Sequence, residues 1–284
     1  MRVLAIQSQV IFGHVGNNAA VFPLQRQGVE VWAIPTAVLA FNPSYGPPAM
    51  RPSQPAEIDA WIAALSIRPE WKQVDAVLLG WLGNAHTGEA AMRAALAAKA
   101  ANPKALFLCD PVMGDSDTGL YVHDGLPPFI RDHLLPHADI ATPNGFELEF
   151  LTGKKIGDLP DALAACDMLR SRGPRTVIAT TLKRRDGGRG MLEALLVNDQ
   201  GAWLCAVPDL GDDLPKGAGD LFAALFLARL LKGRTPKKAL LFAMAGTYGL
   251  LRDAKERGLP EMRLEVQQEE LQMPSHLPGI ERVR

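Results

Sequence analysis

The residues best suited to chemistry are Lys216-Gly217-Ala218-Gly219-Asp220, followed by Leu221-Phe222-Ala223-Ala224-Leu225-Phe226-Leu227. The run after Asp220 is apolar on every face, which predicts a helix buried in the interior. At the amino end of such a helix, small residues leave backbone N–H groups bare and pointing outward, a place for a phosphate or a developing negative charge. Asp220 falls in the first turn. It could simply cap the helix, a role worth ~1 kcal/mol. Alternatively it takes the proton from a substrate hydroxyl while the neighbouring N–H groups stabilise charge on a phosphoryl group in transfer. Two glycines so close together favour the second reading, because each costs up to ~1 kcal/mol in a helix and a cap needs neither.

Three other polar clusters follow apolar runs: Ser8-Gln9-Val10-Ile11-Phe12-Gly13-His14-Val15-Gly16-Asn17-Asn18, Asp110-Pro111-Val112-Met113-Gly114-Asp115, and Thr142-Pro143-Asn144-Gly145-Phe146-Glu147-Leu148-Glu149. Each taken alone also reads as an ordinary strand-to-helix turn, since turns use the same residue types. There is no Gly-x-x-x-x-Gly-Lys-Ser/Thr sequence, and no Gly-x-Gly-x-x-Gly follows the first strand, so neither a P-loop nor a dinucleotide fingerprint is present.

These clusters need a scaffold, and the hydrophobic pattern supplies one. Short β-branched and apolar runs alternate with longer Ala/Leu-rich stretches of helical period, the mark of βα units on a mainly parallel, buried sheet. The predicted strands are Val3–Gln7, Val29–Ile34, Val74–Leu79, Ala105–Cys109, Asp139–Ala141, Thr176–Ala179, Glu193–Val197 and Ala202–Val207. The predicted helices are Pro55–Leu65, Gly88–Ala101, Leu159–Ser171, Gly217–Leu231 and Pro236–Arg252. Asn198-Asp199-Gln200-Gly201 is too short for a crossover, so the last two strands form an antiparallel hairpin at one end of the sheet. Ligands of open parallel sheets bind beyond the carboxyl ends of the strands, where the three clusters fall. Pro43 to Pro55, with five prolines, is the clearest irregular segment and reads as a surface loop or a lid.

With 48% hydrophobic and 21% charged residues, the 284-residue chain can bury a full core, and it is expected to fold as one domain over 1–284. A net charge of −1 offers no field to draw in a polyanion, so nucleic acid is not an expected partner. Lys183, Arg184, Arg185 and Arg189 interleave with Gly187, Gly188 and Gly190; they read as a solvated turn, or as a mobile flap near a phosphate ligand. Cys109, Cys166 and Cys205 are odd in number and widely spaced, which argues against a disulfide framework or a zinc site and suits a reducing cytoplasm. No apolar run reaches the length of a membrane helix, and Met1 to Ile6 is too short for a signal peptide, so a soluble protein is expected.

Gly217-Ala218-Gly219-Asp220 resembles the anion-hole and base motif of the ribokinase-like superfamily. Together with Gln7-Ser8-x-Val10-x-Phe12-Gly13-His14-x-Gly16-Asn17, Tyr45-Gly46, Gly80-Trp81-Leu82-Gly83, Asp110-Pro111-Val112-Met113-Gly114 and Pro143-Asn144-x-x-Glu147-Leu148-Glu149, it makes the chain similar to the pyridoxal kinase family from residue 2 to about 255. The resemblance implies a three-layer α/β/α sandwich and ATP-dependent phosphorylation of the 5′-hydroxyl of pyridoxal. It implies Asp220 as base, with the Gly217, Ala218 and Gly219 backbone as anion hole. It places Ser8 against the pyridine ring and Ser44, Tyr45 and Gly46 on a loop closing over the substrate. On the nucleotide side it implicates Asp110, Thr142, Glu147 and Thr180, with Val207, Pro208, Asp209 and Leu210 beside the adenine. Asp110 and Glu147 would act on Mg2+ through water, hard oxygen donors suiting that ion. A homodimer is also implied.

The chain departs from that pattern in three places. Trp81 stands where relatives commonly have Tyr, Thr180 occupies a position that is Lys in some relatives, and the Gly211 to Pro215 segment is shorter than in many. His14 is read as structural or substrate-lining rather than catalytic, because Asp220 already fills the base role; Met113 and Phe12 read as wall or core. The competing readings are a ribokinase-like kinase acting on hydroxymethylpyrimidine or a sugar, a B6-vitamer binding protein without turnover, and a nucleotide-binding regulator. Ser8, Val10 and Phe12 suit a flat heteroaromatic ring better than a sugar.

Overall fold

The computed structural model describes residues Met1–Arg284. In chain order the elements are β1 (Arg2–Val10), α1 (Asn17–Arg26), β2 (Glu30–Leu39), β3 (Met50–Pro52), α2 (Pro55–Ser66), β4 (Ala76–Leu79), α3 (Ala85–Ala101) and β5 (Leu106–Cys109). They continue with β6 (Gly114–Asp115), β7 (Gly119–Leu120), α4 (Leu126–Phe129), β8 (Ile140–Ala141), α5 (Gly145–Thr152), α6 (Leu159–Arg170) and β9 (Thr176–Leu182). The chain closes with β10 (Met191–Asn198), β11 (Gly201–Pro208), α7 (Ala218–Leu231), α8 (Pro236–Glu256), α9 (Gln268–Gln272) and β12 (Gly279–Arg282).

Ten strands form one sheet in the order β12-β11-β10-β9-β8-β5-β4-β1-β2-β3. Strands β9, β8, β5, β4, β1 and β2 run parallel, as the βα alternation predicts, and β10–β11 is the predicted antiparallel hairpin. Strand residues alternate between two cores because successive side chains leave opposite faces of the sheet. Leu4, Ile6, Val77, Leu79 and Phe107 join the layer of α2, α3, α5 and α6. Val3, Ala76, Leu78 and Leu108 join the layer of α1, α7, α8 and α9. The result is the three-layer α/β/α sandwich expected. Helix α7 is apolar all round because it packs between α1 and α8 and shares one core with the strand residues of this layer, and every residue from Leu221 to Ala228 is buried.

Eight elements escape the hydrophobic pattern: β3, β6, β7, β12, α1, α4, α5 and α9. The hairpin is not the margin of the sheet, for β12 pairs beyond it with β11. At the opposite margin β3, inside the proline-rich segment, pairs antiparallel with β2. Helix α1 carries Pro23 in its interior and has no side-chain cap, which conceals it from start and stop signals. Helix α5 is only eight residues long, too short for periodicity to separate from a turn. No helix is long and apolar enough to cross a membrane.

Candidate active site

Gly217 is the N-cap of α7, with φ 89° in the left-handed region, and the first helical bond runs from Leu221 N–H to the Gly217 carbonyl. The N–H groups of Ala218, Gly219 and Asp220 precede that bond and point out of the helix end. A Cβ on Gly217 would lie 1.8 Å from the His14 carbonyl oxygen, so glycine is needed here for the close packing of the β1–α1 loop as well as for its φ. Asp220 does not cap α7. Its Oδ2 accepts the Gly16 N–H at 2.9 Å, and its Oδ1 is buried without a partner. A buried carboxylate oxygen with no donor is costly unless something arrives to meet it.

Asp110, at the exit of β5, faces the same helix end: its Oδ2 is 4.0 Å from where a Cβ on Gly219 would sit. Its Oδ1 accepts the Thr142 hydroxyl at 2.8 Å. Glu147 lies in the first turn of α5, where Asn144 and Glu147 form a capping box. Both Glu147 oxygens are engaged, Oε1 by Met113 N–H at 3.0 Å and Oε2 by Asn144 N–H at 2.9 Å. Glu147 therefore joins the Asp110–Gly114 turn to α5. Tyr121, which the sequence did not single out, lies in the field of Glu147, Asp220 and Asp110, and burial with these charges raises its phenol pKa. Lys216 sits 3.6 Å from Asp115 of β6, linking the β6–β7 flap to the anion hole.

No basic side chain pairs with Asp110, Glu147 or Asp220. Burial raises all three pKa values: Asp110 to about 8, with the Asp220 charge adding to it, Glu147 well upward, and Asp220 to about 6 against the opposing Gly16 bond. Because the folded Asp110 holds its proton to about pH 8 while an ordinary Asp loses it near 3.8, the unfolded chain binds fewer protons between those values. Stability must then fall as pH rises through that window. Asp110→Asn is expected to flatten the slope and, at about pH 8 without magnesium or nucleotide, to be more stable than the parent by about 1–2 kcal/mol. Urea unfolding at several pH values checks this; parallel pH profiles for the two proteins would count against it.

On the other side of the cleft the β1–β2 pairing shifts register between Gln7 and Gln9, where β2 carries the extra residue, Thr36 and Ala37 lying opposite Ser8. Ser8 is buried beside Gly16: a Cβ there would meet the Ser8 Oγ at 2.5 Å. Ser44 and Tyr45 form a short 3-10 turn begun by Asn42, whose side chain accepts the Ser44 N–H, and Gly46 ends it at φ 118°. Both side chains are exposed. A cavity of about 460 Å³ is lined by Thr36, Met50, Trp81, Asn84, Tyr121 and His123 among others, and by none of Ser8, Ser44, Tyr45, Gly46 and Asp220. Met113 is fully buried and Phe12 exposed, which puts one in the core and the other on the surface.

At the nucleotide side, Thr180 lies within β9 next to Asn144, its N–H donating to the Pro143 carbonyl at 2.8 Å. Val207 points into the core, whereas Pro208, Asp209 and Leu210 reach the surface as β11 ends. Asp209 pairs with Lys183 at 3.0 Å. The basic cluster is not a plain solvated turn, for Arg184 is buried and donates to Glu193 from two guanidinium nitrogens at 2.7 and 3.1 Å. With Lys183, Arg185, Arg189 and Asp209 it lines a cavity of about 310 Å³. His14 faces Glu261 and Glu265 instead of the Asp220 carboxylate.

Comparison with known proteins is consistent with this geometry. The phosphomethylpyrimidine kinase family model matches residues 13–262. The chain is 43% identical to the pyridoxal kinase PdxY of Deinococcus radiodurans, over 99% of this chain and 96% of that protein. It is 42% identical to the pyridoxal kinase PdxY of Rubrobacter xylanophilus, over 96% and 94%. The pyridoxal kinase of Leishmania donovani in complex with ADP and pyridoxamine superposes with a TM-score of 0.88 at 31% identity, covering 100% of this chain and 99% of that one. By sequence over nearly its full length, and by fold, the chain belongs to the pyridoxal kinase family.

Proposed function

We propose that this chain transfers the terminal phosphoryl group of ATP to the 5′-hydroxyl of pyridoxal, giving pyridoxal 5′-phosphate. The observation that carries this reading is the unpartnered, buried Oδ1 of Asp220 at the N-terminus of α7. That oxygen can accept the hydroxyl proton, Gly16 N–H fixes the carboxylate from behind, and the Gly217–Gly219 backbone offers N–H groups where charge develops. Ser8, opposite the β2 bulge, would bond the pyridine ring, and the Ser44-Tyr45-Gly46 turn would cover it. The pyridoxal kinase of Leishmania donovani, solved with ADP and pyridoxamine and with ADP and pyridoxine, supports the pairing of substrates.

Magnesium fits the donor set, because the buried carboxylates of Asp110 and Glu147 have no cation among the side chains. Asp110 would hold it through its Oδ2, and Glu147, whose oxygens already serve backbone N–H groups, through water. Bound there, the ion would neutralise phosphate charge. Thr142 keeps Asp110 oriented toward the helix end. The exit of β11, from Val207 to Leu210, and Thr180 would border the nucleotide. We read residues 1–284 as one kinase domain, which the continuous ten-stranded sheet from β1 to β12 supports, acting as a cytoplasmic homodimer; the three buried, unbridged cysteines suit a reducing compartment.

A coupled assay of ADP release decides the reaction. Turnover is expected with ATP and pyridoxal and only in the presence of magnesium, with pyridoxine, pyridoxamine, hydroxymethylpyrimidine and a sugar as comparison acceptors. No turnover of any B6 vitamer would end this reading, and faster turnover of hydroxymethylpyrimidine would reassign the acceptor.

A further inference from the structure

The Glu261 carboxylate is the meeting point of two loops that border the cleft. Its Oε2 accepts the His14 N–H at 2.8 Å, and its Oε1 accepts the Tyr45 O–H at 2.6 Å. Gly13 lies against it with φ 95°; a Cβ at that position would come within 2.6 Å of Oε1. Burial works against the carboxylate, yet the bonds from His14 and Tyr45 hold its pKa below the usual range, while burial and the same contact push the Tyr45 phenol up to about 12.

Apart from Glu261, the Tyr45 hydroxyl meets the Pro260 carbonyl at 3.1 Å, its ring lies against Phe12 and Phe41, and the N–H groups of Ile11 and Phe12 donate to Leu39 and Ala40, yet the side chains stay open to solvent. Ile11 is 80% and Phe12 55% exposed, and the Pro43–Tyr45 turn buries none of its residues. The segment that carries Glu261 is firmly seated. Met262 and Leu264 are buried, and Arg263 donates to Asp253 at 2.7 and 2.9 Å. Beyond Glu261, the His14 carbonyl packs on Gly217 and the Gly16 N–H fixes Asp220, so the loop that Glu261 grips also sets the base and the helix end.

We propose that Glu261 is a positioning residue that latches the Tyr45 turn and the Gly13–Gly16 loop to a fixed support, joining closure over the acceptor to alignment of Asp220. This rests on the kinase reading above and adds to it a residue that touches neither substrate. The two arms have separable effects. Loss of the Tyr45 arm loosens only the turn over the acceptor. Loss of the whole carboxylate frees the loop that orients Asp220 as well.

The test combines steady-state kinetics with hydrogen exchange on the ligand-free full chain. Tyr45→Phe is expected to raise the KM for pyridoxal severalfold with kcat nearly unchanged, and to speed exchange only in residues 42–46. Glu261→Ala is expected to lower kcat and raise that KM together, about tenfold or more in kcat/KM, with faster exchange in both loops. The KM for ATP should stay within about twofold in each. The double variant should be only slightly worse than Glu261→Ala, since both remove the Tyr45–Glu261 bond and Tyr45→Phe adds only the loss of the longer 3.1 Å contact with the Pro260 carbonyl. Additive losses, unchanged exchange at 11–16 in Glu261→Ala, or a lowered Tm with unaltered kinetic constants would overturn the latch. If Glu261→Ala does not fold, Glu261→Gln, which keeps the shape and one acceptor, is judged by the same criteria. Wild-type protein without turnover would instead refute the kinase reading, while exchange would still report on the tether.

Discussion

Asp220→Asn is expected to abolish pyridoxal phosphorylation, lowering kcat by about 10³-fold or more, while leaving ATP binding measurable. The amide has the shape of the carboxylate, and its oxygen can still accept the Gly16 N–H that now bonds Oδ2 at 2.9 Å, so the loop and the helix end should hold their places. What is lost is the acceptor for a proton at the buried, unpaired Oδ1. The defect should therefore appear in kcat, with little change in Tm. Nucleotide affinity, followed by calorimetry, should hold or improve, because one negative charge leaves a site that already contains Asp110. In the parent enzyme a base raised to about 6 must lose its proton to act, so kcat/KM should climb with pH up to about that value and then level off. A variant that keeps near-normal kcat would mean that the base is elsewhere.

The second large effect concerns space and not charge. Gly217→Ala would place a Cβ 1.8 Å from the His14 carbonyl oxygen and force an L side chain to φ 89°. Either the His14 loop or the start of α7 must move, and each is part of the proposed site. We expect a loss of stability of about 2 kcal/mol or more together with a fall in kcat/KM of about 100-fold or more. Gly219→Ala makes a sharp contrast. Its Cβ would meet nothing closer than the Asp110 Oδ2 at 4.0 Å, so the fold should tolerate it and Tm should hold or rise. A methyl group between Asp110 and the helix end nevertheless occupies room that phosphate and metal would need, so turnover should fall without unfolding. Thermal melts and kinetics on the two variants separate the cases. Equal Tm losses, or full activity in Gly219→Ala, would show that this gap has no part in the reaction.

Much of the scaffold was legible because its determinants are local. Period-two runs between helical stretches announce βα units, and Asn198 to Gly201 announces the hairpin. The uniformly apolar run after Asp220 announces a buried helix, since no other environment accepts such a stretch in water. Hydrogen bonding at short range was less visible. Glu147 looked like a metal-side carboxylate, but its oxygens are held by the N–H groups of Met113 and Asn144, a capping arrangement that also fits the spacing Asn144-x-x-Glu147. Arg184 looked like part of a solvated turn, but is buried against Glu193, because the hairpin folds that carboxylate under the loop.

By itself the sequence determined the fold class, the order of most strands and helices, and the family motifs with Asp220 at the start of α7, all of which depend on patterns spanning a few residues. Only the tertiary structure decided that Asp220 is gripped by Gly16, 204 residues away, and that Glu261 reaches His14 across 247. The same holds for the β2 bulge opposite Ser8, the margin strands β3 and β12, and the place of Tyr121 among the carboxylates. Such contacts arise when separate βα units pack against one another, and no local periodicity encodes which loop will face which helix end.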